Sequence, residues 1–437
     1  MEEPPLKDEI TLCVYGLGKT GVSVIKYLKR KGFTDFYFWD DNKVSRSNLG
    51  INSSRKEEEN IFSHFLDVSD YIILSPGINI NKAHLKKKLI ENRQKIITDL
   101  DLLYIFNPEI KTIIITGTNG KSSSCKILEH ILKKNKFNVK LGGNIGKPVL
   151  DLNLKDKPLL IIEASSFQLA YSKFIKPHQA VILNINKDHL DWHGSFKNYL
   201  NAKFKIFANQ NNNNFAFLNN KILIKKFVKE RYKSKLKIVN LKKYLIIKDK
   251  IKNNYLKLKV NDENMSFVYA LSKIFNINQK SFLKSLSSFK GLPHRQELFY
   301  KKKNIVFIND SKATSFDSSK FALINRKNIY WIIGGLPKKG DKIKLGNLKK
   351  NITKAYIIGK HMKFFQNQLK GKVKIELCQN LKKAIAVIFK DIKQSKINHK
   401  AAILLSPASA SYDQYKNFEI RGNEFKKIVK LYAKKID

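Results

Sequence analysis

The chain has 437 residues, a length that predicts two or three domains of roughly 100–200 residues each. Its formal net charge is +48, from 84 Lys and Arg residues against 36 Asp and Glu residues. A basic chain of this kind invites a nucleic-acid interpretation, but the lysines are spread over every segment instead of gathering on one. We therefore interpret the excess as compositional bias and solvated faces, expect no nucleic-acid partner, and keep a nucleic-acid-binding protein as an alternative.

The cysteines and the N-terminus indicate the compartment. Cys13, Cys125 and Cys378 lie far apart and form no C-x-x-C pair, which is typical of proteins in a reducing compartment. The first ten residues lack the basic start and apolar core of a signal peptide. No apolar run approaches the roughly 18 residues of a membrane span. We expect a cytoplasmic protein with no membrane segment.

The first predicted unit carries a glycine pattern. A strand over 11–15 runs into G-x-G-x-x-G at 16–21, and the next strand, over 36–39, ends in Asp40 and Asp41. Alone, this pattern suggests a dinucleotide-dependent oxidoreductase. A further strand over 71–74 leads into Ser-Pro-Gly at 75–77, a turn that could present backbone N–H groups to another anion. The unit is predicted to bind a nucleotide, and the glycines leave its identity open.

A second glycine loop follows the strand predicted over 112–116. Gly117 and Gly120 let backbone N–H groups turn around an anion, Lys121 adds a positive charge, and Ser122 could hold a magnesium ion. Only Thr118 and Asn119 separate the glycines, fewer residues than in the usual G-x-x-x-x-G-K-[ST] loop. The strand–loop–helix context nevertheless predicts a phosphate-binding loop.

Polar side chains follow the neighbouring strands, predicted over 138–141, 159–162 and 180–183. Such strand ends form the sites of open parallel sheets. Glu163 is a candidate magnesium ligand, because Mg²⁺ prefers oxygen donors and binds substrate phosphates as well. His189 is equally compatible with a metal ligand and a structural histidine.

The remaining chain predicts another α/β layer domain. The Asn-rich and Lys-rich segment 210–259 indicates no particular chemistry. A helix is predicted over 261–275. Gly291 to Arg295 reads as a hinge, where Arg295 is either a phosphate or carboxylate ligand or a surface arginine. Five strands are then predicted, over 305–308, 329–333, 355–358, 373–377 and 401–405. Three of them are followed by polar segments, at 309–314, 334–341 and 406–413.

An ordered set of motifs resembles the Mur ligase family. The motifs are GTNGKS from 117, EASSFQL from 163, DHLD from 188, GLPHR from 291, NDSKAT from 309 and SPASASYDQYKNFEIRG from 406. The last two, with LSPGI from 74, resemble the branch that adds D-glutamate. The resemblance spans 16–422 and implies an α/β fold of three domains. These are a Rossmann-like UDP-substrate domain (1–98), a P-loop-type central ATPase domain with a mostly parallel sheet (99–291), and a Rossmann-like C-terminal domain (292–437).

The resemblance also implies residue roles. For ATP it implies Gly117, Thr118, Asn119, Gly120, Lys121, Ser122, Asn264, Arg295, Asp310 and Lys312. For the UDP substrate it implies Gly18, Lys19, Thr20, Asp40, Gly77 and Asn144. For D-glutamate it implies Thr314, Lys338, Ser411 and Phe418. For catalysis it implies Lys121, Glu163, His189 and Lys203. For two Mg²⁺ ions it implies Ser122, Glu163, His189 and Lys203 as a carbamate.

The implied reaction is amide ligation in peptidoglycan precursor synthesis. ATP would phosphorylate the alanyl carboxylate of UDP-N-acetylmuramoyl-L-alanine, and the amine of D-glutamate would attack the acyl phosphate, giving ADP and phosphate. We expect a monomer. Sequence alone would make Lys203 a surface helix lysine, and the chain departs from the family pattern at Asn186, Lys187, Trp192, Phe267 and Ser409. Another Mur-type ligase, or a nucleotide-dependent oxidoreductase, is the alternative.

Overall fold

The computed structural model describes residues 10–47, 59–253, 255–338, 340–395 and 399–433. Residues 1–9, used above to argue against a signal peptide, lie outside this range. The chain divides into two compact units, Met1–Phe289 and Lys290–Asp437. Three mostly parallel sheets organise it, two in the N-terminal unit and one in the C-terminal unit, so that the fold is a three-domain α/β fold.

The first sheet has four parallel strands in the order β2-β1-β3-β4. Short apolar runs form these strands, and amphipathic helices cover them. The elements are β1 (Leu12–Tyr15), α1 (Lys19–Arg30), β2 (Phe36–Trp39), α2 (Lys43–Ser47), α3 (Glu59–Val68), β3 (Tyr71–Leu74), α4 (Lys86–Glu91) and β4 (Ile96–Ile97).

The second sheet has six parallel strands in the order β10-β9-β8-β5-β7-β6. The strand before the phosphate loop is β5, which lies between β8 and β7 and is fully buried. The elements are α5 (Asp99–Phe106), β5 (Thr112–Thr116), α6 (Lys121–Lys134), β6 (Val139–Gly143), β7 (Leu159–Glu163), α7 (Ser166–Tyr171), β8 (Gln179–Ile182), α8 (Leu190–His193), α9 (Phe196–Phe204), β9 (Phe215–Leu218), α10 (Lys221–Lys229), β10 (Lys235–Ile238), α11 (Leu241–Lys248), α12 (Asp262–Ile274) and α13 (Gln279–Ser287).

The third sheet has the order β11-β12-β16-β13-β14-β15 and is parallel except for β11, which pairs antiparallel with β12. Apolar side chains on both of its faces are buried under helices. The elements are β11 (Glu297–Lys302), β12 (Ile305–Asn309), α14 (Phe316–Ile324), β13 (Ile329–Gly334), β14 (Ile352–Ile358), α15 (Met362–Leu369), β15 (Ile375–Gln379), α16 (Leu381–Gln394), β16 (Ala401–Leu405) and α17 (Phe418–Ala433).

Every strand predicted from the sequence is present near its predicted bounds, and four further strands occur: β4, β9, β10 and β11. The segment 210–259, which the sequence left without assignment, contains β9, α10, β10 and α11. Within the described residues, no helix combines the length and apolar character that a membrane crossing requires.

Candidate functional site

The loop between β5 and α6 is shaped by two glycines with positive φ, Gly117 at +153° and Gly120 at +82°. A Cβ atom on Gly120 would lie 1.9 Å from the Oδ1 atom of Asn264, so that Asn264 of α12 packs directly on the loop. The Lys121 ammonium folds over the loop and donates to the carbonyl oxygens of Gly117 (2.8 Å) and Thr118 (3.0 Å). These contacts bring the loop, Lys121 and Asn264 together, and their roles toward ATP stay predictions.

The segment after β8 supports the loop from one side. Asn184 accepts hydrogen bonds from the backbone N–H of Thr118, through its carbonyl oxygen at 3.1 Å, and of Asn119, through Oδ1 at 2.9 Å. Its Nδ2 donates to Oε2 of Glu263 on α12 at 2.8 Å. Asn184 therefore ties the phosphate loop to α12, a role that sequence reasoning missed because only the fold brings these segments together.

Lys203 is buried, with 1 % of its surface exposed, so the expectation of a surface helix lysine is wrong. Its Nζ donates to the carbonyl oxygen of Gly117 at 2.9 Å and to Oγ1 of Thr116 at 3.2 Å. Burial, and then the charge of Lys121, hold the pKa of Lys203 well below its ordinary value, while Asp188 acts in the opposite direction. The helix α9 turns this residue toward the carboxyl end of β5, which no local pattern reveals.

Tyr199, one helical turn before Lys203 on α9, links Lys203 to the loop. The Nζ atom of Lys203 lies 4.7 Å from the centroid of the Tyr199 ring, and the Tyr199 hydroxyl lies 2.9 Å from Oγ1 of Thr118. Burial raises the pKa of Tyr199 to about 12, so its hydroxyl stays protonated at neutral pH. Sequence reasoning missed Tyr199, although its i,i+4 spacing from Lys203 was an available signal.

Glu163, at the end of β7, is buried with 2 % of its surface exposed. Its Oε1 atom accepts a hydrogen bond from Nδ2 of Asn144 at 2.9 Å, whereas Oε2 is buried and has no hydrogen-bond partner within the described residues. An unpaired buried carboxylate oxygen is costly. Glu163 therefore fits a cation at this strand end. No cluster of three His, Cys, Asp or Glu side chains suited to a metal occurs in the described part of the chain.

His189 and His193 differ in environment, although both lie near α8. The His189 side chain is 40 % exposed, and its Nε2 atom lies 3.4 Å from the Asp188 carboxylate. Its ring packs against the Phe167 ring in an edge-to-face arrangement. His193 is buried, and its Nε2 lies 3.0 Å from Oγ of Ser166. Burial, followed by the charges of His189 and Lys203, lowers the pKa of His193 to about 4. His193 is thus the structural histidine, while His189 presents its ring at the surface.

The EASSFQL motif has a structural explanation. The Ser165 side chain accepts a hydrogen bond from the backbone N–H of Gln168, and the Gln168 side chain accepts one from the backbone N–H of Ser165. This is a capping box at the start of α7. The Gln168 Nε2 atom also donates to the buried carboxylate of Asp99 at 3.2 Å. The motif therefore fixes the geometry just after Glu163.

At the first sheet, Asp40 holds the glycine turn. Its carboxylate accepts hydrogen bonds from the backbone N–H groups of Leu17 (2.6 Å) and Asn42 (2.8 Å). The Lys19 ammonium donates to the carbonyl oxygen of Gly146 at 2.6 Å, two residues beyond Asn144. Three other residues predicted to contact the UDP substrate are at least partly accessible: Gly18 and Gly77 are exposed, and Thr20 is half-buried.

In the C-terminal unit, Asp310 follows β12 and is buried with 6 % exposed. Its carboxylate accepts hydrogen bonds from the backbone N–H of Gln296 at 3.0 Å and from Oγ of Ser406 at 2.7 Å. Burial raises the pKa of Asp310 to about 7, although these hydrogen bonds and the charges of Arg326 and Arg295 lower it. The carboxyl group is therefore poised to change protonation state near neutral pH.

Lys312 and Phe418, predicted for ATP and for D-glutamate, lie together. The Lys312 ammonium is 3.9 Å from the centroid of the Phe418 ring. Arg421, three residues further along α17, is 1 % exposed and donates to the carbonyl oxygens of Ser311 (2.9 Å) and Ser409 (3.1 Å). Arg421 joins two predicted polar segments, and sequence reasoning missed it.

The other predicted residues of this unit lie on the same polar segments. The backbone N–H of Lys312 donates to the carbonyl oxygen of His294, which places half-buried Arg295 beside the segment 309–314. Thr314 is half-buried, Ser411 is buried and Lys338 is exposed. Their roles toward ATP and D-glutamate stay predictions.

A parallel sheet whose central strand enters a glycine loop and a lysine-started helix defines a nucleotide-binding α/β protein. The model of the Mur ligase middle domain matches 115–286, and that of the Mur ligase MurD-like N-terminal domain matches 10–98. A UDP-N-acetylmuramoylalanine–D-glutamate ligase of Rickettsia felis is 35 % identical, with 97 % of both chains covered. One from Elusimicrobium minutum is 34 % identical, covering 96 % of this chain and 97 % of the relative.

Solved structures agree on the fold. MurF ligase of Thermotoga maritima in complex with ADP gives a TM-score of 0.58 at 13 % identity, with 99 % of this chain and 97 % of that chain covered. UDP-N-acetylmuramate-alanine ligase MurC of the same organism gives a TM-score of 0.57 at 15 % identity, with 98 % of this chain and 100 % of that chain covered. The chain belongs to the Mur ligase family and is similar over nearly its whole length to MurD-type relatives.

Proposed function

We propose that the protein is an ATP-dependent ligase that joins D-glutamate to UDP-N-acetylmuramoyl-L-alanine in peptidoglycan precursor synthesis. The similarity to relatives bearing that name extends over nearly the whole chain. The structural observation that carries the proposal is the convergence of Lys121 and Lys203 on the carbonyl oxygen of Gly117, beside a loop shaped for phosphate. This arrangement suits a reaction in which several anions must be held together.

The loop residues have distinct tasks in this proposal. Backbone N–H groups of the loop other than those of Thr118 and Asn119, which Asn184 binds, hold the phosphates of ATP. The Lys121 ammonium leaves the carbonyl oxygens it now contacts to pair with the transferring phosphoryl group. Transfer to the alanyl carboxylate gives an acyl phosphate, which the amine of D-glutamate attacks, releasing phosphate. Asn264 packs on the loop and Asn184 supports it, so both hold the nucleotide side in position.

Magnesium fits the donors at this strand end. The unpaired Oε2 of Glu163, the buried Ser122 near the start of α6, His189 and a carbamate on Lys203 would hold it. When bound, magnesium neutralises phosphate charge and orients the transferring group. We propose two such ions.

Carbamylation of Lys203 is supported by its burial. A neutral amine attacks carbon dioxide, an N–C bond forms and one proton is released, giving a carbamate. The depressed pKa of Lys203 favours that neutral amine, and Tyr199 and Thr116 lie next to it. The product is a carboxylate-like group in place of an ammonium, and it would bind a cation where the ammonium would repel one.

The substrate-binding assignments rest on position. Lys19, Asp40 and Gly77 at the first sheet, with Asn144, would contact the UDP substrate. Arg295, Asp310 and Lys312 would contact ATP. Four residues would contact D-glutamate: Thr314, Lys338, Ser411 and Phe418. We expect the protein to act as a monomer, which sedimentation velocity at micromolar concentration tests.

The test is phosphate release with substrates omitted one at a time. Release is expected only when ATP, UDP-N-acetylmuramoyl-L-alanine and D-glutamate are all present, and L-glutamate should not replace D-glutamate. Equal release with folate and L-glutamate would refute the assignment. Saturable binding of a nicotinamide dinucleotide would instead favour the oxidoreductase alternative.

A further inference from the structure

A cavity of about 390 Å³ in the C-terminal unit is lined by none of the residues in the polar segments described above. It is lined by Val306 near the start of β12 and by Ala401 and Ala402 at the start of β16. Asp310 and Ser406 follow the opposite, carboxyl ends of the same two strands. Part of the lining therefore lies toward the other edge of the sheet, whereas Leu298 pairs with Ile308 and Arg326 bonds Gln296 nearer the carboxyl ends of the strands.

The charged lining of this cavity has one sign. Five cations line it, and none of its lining residues is a carboxylate: the cations are Lys301, Lys303, Arg326, Lys327 and Lys400. Within the described residues, no salt bridge joins any of the five to Asp or Glu, although the same unit pairs Lys354 with Asp391 and Lys426 with Glu297. Asp310, outside the lining, acts on Arg326 as an opposite charge. The four lysines add like charges that repel each other, and a bound anion would relieve that repulsion.

Arg326 distinguishes this cluster from the general lysine excess. The chain has only eight arginines among its 84 basic residues, so its compositional bias supplies lysine and does not explain an arginine. Arg326 is half-buried, and its Nη1 atom donates to Oε1 of Gln296 (3.0 Å) and to the carbonyl oxygen of Ala322 (3.3 Å). These bonds fix the guanidinium while its planar group offers further donors.

The floor of the cavity is apolar. Leu298 of β11 contributes to it and is 59 % exposed, unusually open for a leucine on a strand, and Val306, Ala401 and Ala402 continue the surface. A small inorganic ion would leave this floor uncovered. A ligand with an apolar or aromatic body and one anionic group would bury the floor and face the cations at the same time.

We propose that this cavity is a second ligand site, separate from the ligase site, and that it binds a small organic phosphate. The phosphoryl group lies against Arg326 and the surrounding lysines, and the body of the ligand covers Leu298 and Val306. Guanidinium groups bind phosphate through paired hydrogen bonds. The exposed lysine ammonium groups act as point charges, which attract phosphate without requiring a fixed orientation.

Methyl NMR tests this assignment directly. In the full-length protein with labelled Leu and Val methyl groups, phenyl phosphate should shift the signals of Leu298 and Val306 saturably. Inorganic phosphate, which lacks the body, should bind more weakly, and phenol, which lacks the charge, should leave these signals in place. Saturation by inorganic phosphate at the same concentration as by phenyl phosphate would overturn the proposed ligand class.

Variants separate this site from others. Arg326→Gln should weaken phenyl phosphate binding at Leu298 by about tenfold or more, because a charge-assisted bidentate contact is lost. Lys382→Gln removes an exposed charge from the same unit, outside the cavity, and should change binding by less than about twofold.

Two further variants protect the test against misfolding and against binding elsewhere. The double variant Lys301→Gln and Lys400→Gln alters only exposed side chains and should also weaken binding. Lys121→Ala should leave the shifts of Leu298 and Val306 unchanged. Unchanged affinity in both cavity variants, or loss of the shifts in Lys121→Ala, would refute a separate site.

Discussion

Lys121 and Lys203 donate to the same carbonyl oxygen from different helices, yet their environments differ. Lys121 is partly exposed, whereas Lys203 is buried and its pKa is lowered. Two ammonium groups around one oxygen would repel each other, so a neutral Lys203 is the form that the surroundings favour. Lys121 could be predicted from its glycine loop, whereas the burial of Lys203 depends on how α9 packs.

We expect Lys203→Ala to lose ligase activity by about a hundredfold or more, because a preorganised charged group beside the phosphates is removed. Short carboxylates such as acetate or formate should restore part of this activity, since they can occupy the space of the carbamate. Phosphate-release rates with and without acetate measure this. Lys197→Ala, an exposed lysine of the same helix, should keep its activity and show no response to acetate. The absence of any recovery would argue against a carbamate.

Substitution of Lys121 by Ala should abolish ligation while leaving the fold intact. The ammonium contacts loop carbonyl oxygens, so its loss removes charge from the phosphate site, with an expected decrease in kcat of about a hundredfold or more. Lys126→Ala on the same helix removes a lysine that pairs with Glu129 and serves as the control. Equal activity of the two variants would show that Lys121 does not act on phosphate.

At the scale of elements, the phosphate loop depends on its contact with α12. Gly120 needs a positive φ and also leaves room for Asn264, which lies more than a hundred residues further along the chain. The sequence indicated the first requirement through its glycine spacing. It could not indicate the second, because the neighbour of a glycine is set by the packing of distant segments.

Gly120→Ala should therefore impair nucleotide binding beyond its effect on stability. An alanine at positive φ costs about 1–2 kcal/mol, and here its Cβ would also displace Asn264. Gly371→Ala is a matched control, because Gly371 has a φ of +73° and a Cβ atom added there would meet no neighbouring atom within 4 Å. Both variants should lose unfolding free energy in urea, and only Gly120→Ala should lose ATP affinity in calorimetric titration. Equal ATP affinities would contradict this account.

The predicted strands were runs of apolar residues flanked by polar turns, and most of these runs are buried, with the edge strand β15 as the exception. Three of the four strands that were missed lack such a signal, whereas β9 is a short, largely buried apolar run that follows an Asn-rich stretch. β4 has two residues, β10 is an exposed edge strand with lysines at Lys235 and Lys237, and β11 contains polar and charged residues because it is the antiparallel edge of its sheet. Edge strands have only one paired side and bury fewer side chains, so hydrophobic pattern alone does not reveal them.

For the whole molecule, three sheets could be predicted from the spacing of strands and helices, whereas the roles of the site residues stay predictions. The polar network of the C-terminal unit could be predicted only in outline. Its motifs marked Asp310 and Ser406. The burial that raises the pKa of Asp310, however, depends on the pairing of β12 with β16 in the folded sheet. The raised pKa of Asp310 makes the stability of the folded chain depend on pH.

The stability contribution of Asp310 should fall as the pH rises from about 4 to about 7. In this window the unfolded carboxyl has lost its proton, whereas the folded one, with its pKa raised to about 7, retains it. Asp310→Asn should show a flatter decrease between pH 4.5 and 7.5 than the unchanged protein does, as measured by the free energy of unfolding in urea. Asp317→Asn, at an exposed carboxylate, should follow the unchanged protein. Parallel pH profiles for all three proteins would refute a raised pKa at Asp310.

The three tryptophans are distributed one to each sheet region: Trp39 in β2, Trp192 in α8 and Trp331 in β13. Their surroundings differ, since the Arg46 guanidinium lies over Trp39, the Trp192 indole is next to His193, and Nε1 of Trp331 donates to the carbonyl oxygen of Ser406 at 2.8 Å. Each domain thus carries its own intrinsic fluorophore. Replacing two of the three by Phe yields a set of single-tryptophan proteins in which Trp331 reports the unfolding of the C-terminal unit, and Trp39 and Trp192 report that of the N-terminal unit.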